Sequence, residues 1–437
     1  MGANILKSEW AALLAGTAVL VSMGAADANA GAFGLHEQST VGQGDAFAGV
    51  AAGGSPSAMF WNPATMTQIP GRSVEGNATG ILSNVDQHPL AGSTLFGFGG
   101  AGDTGSPALL VSGYTTWQVN PNLWIGLSTN SPFGLSTNFN DPWAGRNYAL
   151  SSSLMTYNAT PSVALRINEW LSVGLGVQVQ FGRADVNLGL GTTPGAHVNL
   201  NGSGWGYGLT AGITVTPGPN TTIGAGWRSA VDQKIDGSLN FGISEAVNTT
   251  LNLPDIVSVG IRHRFDDRWT VMGTAEWTNW SRIGTSVVNQ AAGGPALIGP
   301  SPVALPFQFR DSWFYSVGAE YVLDAKTTFR GGVAYEISPI TDQVRIPIVP
   351  DNDRIWLSAG ASFKMLPNFI MDVGYSHIWV KDSNINISAA SGNPWFNPAA
   401  PIAYVGNASV GINIYSVGFR YMFDAPPPPL KPLITKG

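Results

Sequence analysis

Apolar and polar residues alternate along several segments of the chain with the two-residue period of a β-strand. From residue 171 to residue 182, one face carries Leu, Val and Phe, and the other carries Ser, Gly and Gln. The segments that begin at Trp313 and at Phe369 repeat this pattern. One apolar and one mixed face are typical of strands with lipid outside and a mixed interior. Each segment has about ten residues, the length that a tilted membrane strand needs.

The breaks between these segments alternate between short and long. The short breaks contain turn-forming residues and lie at 120–122, 168–169, 217–220, 266–267, 324–326 and 366–368. The long ones lie near 84–107, 132–155, 184–202, 229–254, 279–312, 337–353 and 381–410. This order is expected of periplasmic turns and extracellular loops. We therefore predict an all-β fold, a 14-stranded antiparallel transmembrane β-barrel with both termini in the periplasm; its weakest strands are those near 74–82 and 221–230.

The composition agrees with a membrane barrel. Of the 437 residues, 44% are hydrophobic and only 11% are charged, whereas soluble domains carry roughly 25% charged residues. After the first 30 residues there is no uninterrupted apolar run of the about 20 residues that a transmembrane helix needs. Only helices and closed barrels satisfy their backbone polar groups in lipid. A soluble β-propeller is the alternative, but no repeat of about 40 residues supports it.

Several classes of function lack the residues they require. The net charge of −6 and the absence of a basic stripe give no reason to expect nucleic acid as a partner. Cysteine is absent, which removes disulfides and thiol chemistry. The five His residues show no metal-ligand spacing, Gly42-x-Gly44 follows no strand, and there is no G-x-S-x-G. We expect no catalytic residues, metal or cofactor; an outer-membrane lipase is the alternative enzyme, and no motif supports it.

Both ends of the chain differ from the barrel segments. Residues 1–30 read as a secretory signal peptide, with Lys7, an apolar core at 11–23 and an Ala-x-Ala cleavage pattern at 28–30. A retained N-terminal helix is the alternative. Export combined with a barrel predicts the outer membrane of a Gram-negative cell. After a barrel spanning 72–423, residues 424–437 form a Pro-rich periplasmic tail, or alternatively a docking segment for a partner.

Residues 31–71, which we call the hatch, have neither a strand alternation nor a long helical stripe. They are dense in Gly, Ala and Ser and contain the run Phe60, Trp61, Asn62, Pro63 and Ala64. We predict that this segment is a plug inside the barrel. Asn caps helix starts and Pro suits the first helical turn, so this run of five residues is predicted to brace and gate the hatch. A plain turn is the alternative.

Four groups of sequence blocks carry a resemblance to a known family. They are GLHEQSTVGQGDAFAG with FWNPA in the hatch, SPFGLSTNFNDPWAGRNYAL at 131–150, LPDIVSVGIRHRF with EWTNWS, and SPITDQVRIPIVPDNDRIWLSAG. In these blocks, which extend over residues 31–423 in the family's order, the chain resembles the FadL family of outer-membrane transporters for long-chain fatty acids and other hydrophobic compounds. The resemblance implies capture of substrate at a loop groove, passage to a lumenal pocket, and sideways exit through a wall gap beside a kinked strand.

Two sets of candidate binding residues follow. Large apolar residues of the 131–150 loop would form the outer groove, with ordinary loop packing as the alternative; they are Phe133, Leu135, Phe139 and Trp143. Arg310 and Arg183 match basic positions of the family and would hold a carboxylate head. Strand alternation predicts that Arg310 faces the lumen, and that Arg183 faces lipid unless a bulge intervenes near Gly182. Neutral substrates would need neither charge.

We therefore expect passive uptake of long-chain fatty acids or related hydrophobic compounds through a hatch-gated pocket. A channel for neutral aromatic or aliphatic hydrocarbons is the first alternative, and a general diffusion porin is the second. The expected partners are the hydrophobic small molecule and outer-membrane lipid, and the expected state is a monomer.

Overall fold

A computed structural model describes residues 32–291 and 303–424. The predicted signal peptide and the predicted tail beyond Asp424 lie outside the described residues. The strands are β1 Arg72–Pro89, β2 Ala108–Asn120, β3 Leu123–Asn130, β4 Gly134–Asn138, β5 Ser151–Arg166, β6 Leu171–Gly189, β7 His197–Gly218, β8 Thr221–Arg228, β9 Val231–Phe241, β10 Ile243–Leu253, β11 Ile256–Arg264, β12 Trp269–Thr278, β13 Thr285–Gln290, β14 Val303–Pro306, β15 Ser312–Val322, β16 Thr327–Ile337, β17 Arg354–Leu366, β18 Phe369–Val380, β19 Ser383–Ile387 and β20 Tyr404–Met422.

Within the described residues, 14 of these strands close into an antiparallel barrel. The last strand, β20, returns to β1 and pairs with it from Ser73↔Met422 to Pro89↔Gly406. The other strands of the wall pair with their neighbours in chain order. The strands outside this ring are β4, β9, β10, β13, β14 and β19. The predicted all-β, 14-stranded barrel is confirmed. In the described part of the chain, no helix is long and apolar enough to cross a membrane.

The faces of the strands follow the alternation in the sequence. On β6, Leu175 and Val177 are exposed on the outer face, whereas Gln178 and Gln180 are buried inside. On β15, Trp313 is exposed and Phe314 is buried. The predicted short breaks are the turns between the paired wall strands. The apolar belt that contacts lipid is therefore built from the residues that the pattern selected.

Most of the long stretches that the sequence indicated as loops contain strand residues, and three of them show this most clearly. The wall strands β6 and β7 continue in register to the pair Gly189↔His197, residues 231–253 form the β9–β10 hairpin, and β13 pairs with β14. On the extended part of β6 the outward residues are polar. Asn187 Nδ2 and Asn199 Nδ2 each donate to Asp185 Oδ1, at 3.1 and 2.9 Å. Without an apolar outer face these strands lose the alternation by which membrane strands are detected.

The described part of the hatch lies inside the barrel. It contains the short helix α1, Thr40–Gly44, and three 3₁₀ helices, Val50–Ala52, Pro56–Phe60 and Pro63–Gln68. Two further 3₁₀ helices, Phe96–Phe98 and Trp280–Ile283, lie in the loops. Glycines on the inner wall admit the hatch backbone at close range. A Cβ atom on Gly226 would lie 1.9 Å from the carbonyl oxygen of Trp61, and one on Gly224 would lie 1.8 Å from that of Ala51.

Candidate functional site

The apolar loop residues singled out from the sequence are brought together inside the molecule. Phe133, Leu135, Phe139 and Trp143 are all buried in one hydrophobic cluster at the loop end of the barrel. The rings of Phe139 and Trp143 stack with centroids 4.8 Å apart, and Trp143 Nε1 donates to the carbonyl oxygen of Ala149 at 2.8 Å. Phe139 and Trp143 therefore form the packed core of the loop, and only Leu135 of these four lines the main cavity.

We call the cavity of about 280 Å³ under the loops the main cavity, because the larger one, of about 680 Å³, lies on the outer face of the wall beside Val163 and Leu175. Leu154, Ile235, Leu251 and Ile346 are among its apolar lining residues, and its polar lining consists of hydroxyl and amide groups. The β9–β10 hairpin supplies the side chains of Ile235 and Leu251, because the inward positions of both strands are apolar there. A pocket with a mostly apolar lining suits a hydrophobic ligand.

The N-terminal end of the hatch meets this cavity at Phe33. The Phe33 ring lines the cavity and packs edge-on against Trp280, with ring centroids 4.7 Å apart. Its carbonyl oxygen accepts a hydrogen bond from Gly134 N at 2.9 Å. One residue later, Gly34 forms an isolated antiparallel bridge with Phe133, and Leu35 N donates to the carbonyl oxygen of Pro132 at 2.9 Å. The hatch thus forms a single β-bridge, flanked by two backbone hydrogen bonds, with residues 132–134.

Those residues occupy a break in the barrel wall. The wall strand β3 ends at Asn130, and β4, which resumes at Gly134, pairs only with β5 among the strands of the described chain. On the other side of the break, β2 pairs with β3 from Gly113 to Asn120. Its residues 108–112 pair with β1 but, within the described residues, with no strand on the β3 side. The continuous backbone ladder of the wall is therefore interrupted at this level.

Gln38 of the hatch hydrogen-bonds both sides of the break. Its Nε2 donates to the carbonyl oxygen of Ser131 at 2.8 Å. Its own carbonyl oxygen accepts from Ser112 Oγ at 2.9 Å and from the Tyr114 hydroxyl at 2.7 Å. Gln38 is 1% exposed, so these bonds form away from water. Gln38 was not among the residues predicted from the sequence to be functional. The only feature there that sets it apart is that it is a polar residue within a plug of small residues.

The predicted gating run is fixed to the wall at β7. Asn62 Oδ1 accepts from Ala64 N at 3.0 Å, which caps the 3₁₀ helix that begins at Pro63. Asn62 Nδ2 donates to the carbonyl oxygens of Ala51 and of Ile213 on β7, at 2.7 and 2.9 Å. The predicted capping geometry of Asn62 and Pro63 is present, although the gating role stays a prediction.

Phe60 and Trp61 are buried beside this anchor. The guanidinium of Arg228 lies 4.2 Å from the centroid of the Phe60 ring, and its Nη1 donates to the Phe60 carbonyl oxygen at 3.1 Å. Trp61 packs against Phe60 with ring centroids 4.9 Å apart. Both residues border a small gap of about 30 Å³ below Phe133, in which His36 Nε2 lies 2.9 Å from Glu276 Oε1. The hatch is therefore held to the wall by polar and aromatic contacts together.

Neither arginine expected to bind a head group lines the main cavity. Arg310 precedes the first residue of β15, so strand alternation does not determine its direction. Its side chain is 52% exposed, lies 3.9 Å from Asp353, and donates to the carbonyl oxygen of Ser338 at 3.0 Å. The adjacent Phe309 is the residue that enters the apolar cluster. The expected lumenal position of Arg310 differs from the observed one.

Arg183 lies on the outer face of β6, where the alternation placed it. The strand pairs with β7 in unbroken register from Leu171 to Gly189, so there is no bulge at Gly182. Its side chain is exposed. Arg183 and the main cavity are consequently on opposite faces of the wall.

Two other arginines, which the sequence analysis did not single out, are buried around the loops. Arg146 is paired with Asp141 at 2.7 Å and holds the pKa of that carboxyl below its ordinary value. Its remaining donors bond the carbonyl oxygens of Leu190, Gly191 and Ala196. Arg345 bonds the Asp342 carboxylate and the carbonyl oxygens of Ile340, Asp351 and Asn384. Both side chains tie loop backbone together, and both fall in sequence blocks that carry the family resemblance.

Within residues 32–291 and 303–424, no group of three or more His, Asp or Glu residues is arranged to hold a metal ion. The site consists of an apolar cavity, a hatch whose end lines that cavity, and a wall break closed by the hatch. A closed β-barrel with these three features is a transport protein of the outer membrane.

The comparisons with known proteins agree with this class. The family model described as "Outer membrane protein transport protein (OMPP1/FadL/TodX)" matches residues 21–423, and the chain belongs to this family. The long-chain fatty acid transport protein of Escherichia coli strain K12 is 27% identical over 420 residues, covering 84% of this chain and 92% of that protein. The protein is thus located in the outer membrane, and its membership of this family is evidence for a role in the uptake of hydrophobic compounds.

Solved structures share the fold. The crystal structure of a Pseudomonas aeruginosa FadL homologue superposes with a TM-score of 0.81 at 23% identity, covering 90% of this chain and all of that chain (100%). The Ralstonia pickettii toluene transporter TbuX superposes with a TM-score of 0.64 at 19% identity, covering 87% of this chain and 98% of its own.

Proposed function

We propose that this protein takes up long-chain fatty acids or related hydrophobic compounds passively, and that the hatch controls their passage from the cavity to the wall break. The single observation that carries the proposal is the position of Phe33. Its ring lines the apolar cavity, and its carbonyl oxygen bonds Gly134 at the break. A ligand that displaces the ring therefore strains the backbone bond that closes the wall.

The cavity supports the capture step. A hydrophobic molecule gains free energy by leaving water for an apolar lining, at about 25 cal/mol for each Å² buried. Leu135 from the loop and Ile235 from the β9–β10 hairpin face the same space as Phe33. Substrate that enters from the loops thus reaches the end of the hatch without crossing a polar layer.

The wall break supports a sideways exit. Where β2 and β4 lack a ladder between them, the wall opens at residues 131–134 by breaking the bonds of Gln38 and of residues 33–35, while the isolated bridge between Gly105 and Thr137 holds the far end of β4. Outer-membrane lipid then receives the substrate, since the outer wall there contacts the bilayer. The driving force is the concentration gradient, and the route needs no catalytic residue or cofactor. A monomer is sufficient, because each barrel contains a complete route.

The names of the relatives leave two substrate classes open. The Escherichia coli relative is a long-chain fatty acid transport protein, and the Ralstonia pickettii structure is a toluene transporter. A general diffusion porin fits less well, because the hatch fills the lumen with buried side chains. Neutral hydrocarbons are the second candidate for the substrate class.

Uptake by whole cells tests the proposal. A host that lacks its own transporter for hydrophobic compounds would express the chain and receive radiolabelled oleate or radiolabelled dodecane. We expect faster uptake than with an empty vector for at least one of the two probes. No gain for either probe, with the barrel shown to be folded in the outer membrane, would contradict the proposed function.

A further inference from the structure

We infer that the main cavity binds uncharged ligands with a single hydrogen-bonding oxygen, such as fatty alcohols or fatty esters, and discriminates against ionised carboxylates. This inference rests on the proposed function and, within its substrate class, favours the related uncharged compounds over ionised fatty acids. The residue assigned to the ligand oxygen is Ser286, on β13.

The first observation is the absence of charge in the lining. Among the described residues that line the cavity, none is Asp, Glu, Lys, Arg or His. A carboxylate moved from water into such a lining loses its hydration without gaining a counter-charge, which is strongly unfavourable.

The second observation is that the buried arginine side chains near the cavity already have partners within the protein. Arg146 and Arg345 use their donors on carboxylates and backbone carbonyls of the loops, as described above. Arg354 is the strongest remaining candidate for a head group, since its Nε and Nη1 have no hydrogen-bond partner in the described structure. Arg354 does not line the cavity, however, and it is paired with both Asp351 and Glu336. Two carboxylates on one guanidinium leave no net positive charge for a third.

The third observation is an uncommitted hydroxyl. Ser286 is 3% exposed and lines the cavity, and its Oγ has no hydrogen-bond partner in the described structure. Thr249 Oγ1, on the neighbouring strand β10, is likewise buried without a partner. Buried hydroxyls are nearly always hydrogen-bonded, so a ligand oxygen is a natural partner for them. One or two hydroxyls satisfy an alcohol or ester oxygen, but they do not replace the charged donors that a carboxylate requires.

The size of the cavity agrees with such ligands. Its volume of about 280 Å³ is roughly twice that of a protein cavity of about 150 Å³ that binds benzene. The cavity therefore holds more than a single aromatic ring, and the chain of a medium-length alcohol or ester fills it better than a toluene-sized molecule does.

Ligand binding to the full-length mature protein in amphipol tests the inference. Trp395 lines the cavity, so a shift in Trp emission that is lost in Trp395→Phe reports occupancy. The probes are methyl dodecanoate, 1-dodecanol, dodecane and sodium dodecanoate at pH 8, where the acid is ionised. We expect the ester and the alcohol to bind at least about tenfold more tightly than dodecanoate.

Two variants separate the role of Ser286 from general packing. Ser286→Ala should weaken the ester and the alcohol about threefold to tenfold while leaving dodecane unchanged. Ser316→Ala is the matched control, because Ser316 is also a buried inward serine without a hydrogen-bond partner in the described structure, but it lies outside the cavity. This control variant should bind all four probes like the parent protein.

Each outcome decides one question. Dodecanoate binding as tight as ester binding at pH 8, or equal ester affinity in Ser286→Ala and in the parent, would overturn the inference and leave the proposed uptake intact. Binding of none of the four probes by a folded barrel would overturn the proposed function itself, and the inference with it.

Discussion

The side-chain amide of Gln38 donates a 2.8 Å hydrogen bond to the carbonyl oxygen of Ser131, 93 residues further along the chain. Ser131 is the first residue after β3 ends, and Gln38 also accepts hydrogen bonds from β2 on the far side of the break. A residue of the hatch therefore connects two parts of the wall that lack a ladder between them. This connection makes closure of the wall depend on the position of the hatch.

Gln38→Ala should loosen that closure. The change removes a buried amide and leaves the Ser131 carbonyl oxygen without it, at a cost of about 1–3 kcal/mol. We expect brief openings in planar-bilayer recordings at a frequency above that of the parent protein.

The matched control is Gln43→Ala, because Gln43 Nε2 donates to the carbonyl oxygen of Ile414, on a continuous part of the wall. Equal opening frequencies in the two variants would show that the break has no special role.

Asn62→Ala should impair uptake while leaving the barrel assembled. The variant loses the cap on Ala64 and two bonds to backbone carbonyls, one of them on β7. Loss of a helix cap alone costs about 0.5–2 kcal/mol. We expect slower uptake of radiolabelled probe and a hatch that is cleaved more rapidly by added protease, at unchanged heat-modifiable migration of the barrel in gel electrophoresis. Normal uptake would reduce the Asn62 and Pro63 motif to a simple turn.

Gly226→Ala should prevent the hatch from docking. A Cβ atom there would lie 1.9 Å from the Trp61 carbonyl oxygen, so the backbone of the hatch must move. We expect increased steady conductance in planar bilayers. Gly411→Ala is the control, because a Cβ atom at Gly411 has no neighbouring atom within 4 Å. The interpretation fails if both variants conduct like the parent protein.

The loop that contains Asp141 and Arg146 should lose order in acid. Arg146 lowers the pKa of Asp141 in the folded protein. Because the pKa of Asp141 is lowered in the folded protein, its ion pair with Arg146 stabilises the loop fully at pH values above the unfolded pKa of about 3.9. This stabilisation is lost as the pH falls through the folded pKa. Asp141→Asn should reproduce the acid effect at neutral pH. Fluorescence of Trp143, which is buried in the same loop, would report the loss of order. An acid transition that persists unchanged in Asp141→Asn would contradict the assignment of this transition to Asp141.

The barrel was predictable because its information is local. Lipid selects apolar side chains on every second residue, and turns require particular residues, so Leu175 and Gln178 could be placed on their faces without a structure. The hatch was predictable only because residues 31–71 show neither the period of a β-strand nor that of an α-helix. The point at which the strands extend beyond the apolar belt was harder to predict. The outer faces of the extended strands near Asp185 are polar, so these segments resemble loops in the sequence.

The site was predictable only in part. Phe133 and Leu135 were selected as residues of an outer substrate groove, and that role stays a prediction; the structure buries both of them in the apolar cluster under the loops. The direction of Arg310 was inferred from alternation, which applies only within a paired strand, and Arg310 lies before β15. The partners of Gln38 and the free hydroxyl of Ser286 depend on contacts between residues distant in sequence, which no local pattern encodes.

A disulfide lock tests the central claim most directly. Gly34 and Phe133 form an antiparallel bridge that is flanked by the hydrogen bonds of its neighbours. Non-hydrogen-bonded pairs of this kind bring Cα atoms to about 4.5 Å, within the range that a disulfide spans. The chain has no cysteine of its own, so Gly34→Cys with Phe133→Cys introduces one defined pair.

Uptake of radiolabelled dodecane or oleate by cells expressing the double variant is then measured under oxidising and reducing conditions, with each single variant as a control. If movement of the hatch opens the wall break, uptake stops when the disulfide forms and returns when it is reduced, while both single variants are indifferent to the oxidant. Undiminished uptake by the fully oxidised double variant would contradict the claim that the hatch must leave the break for substrate to pass.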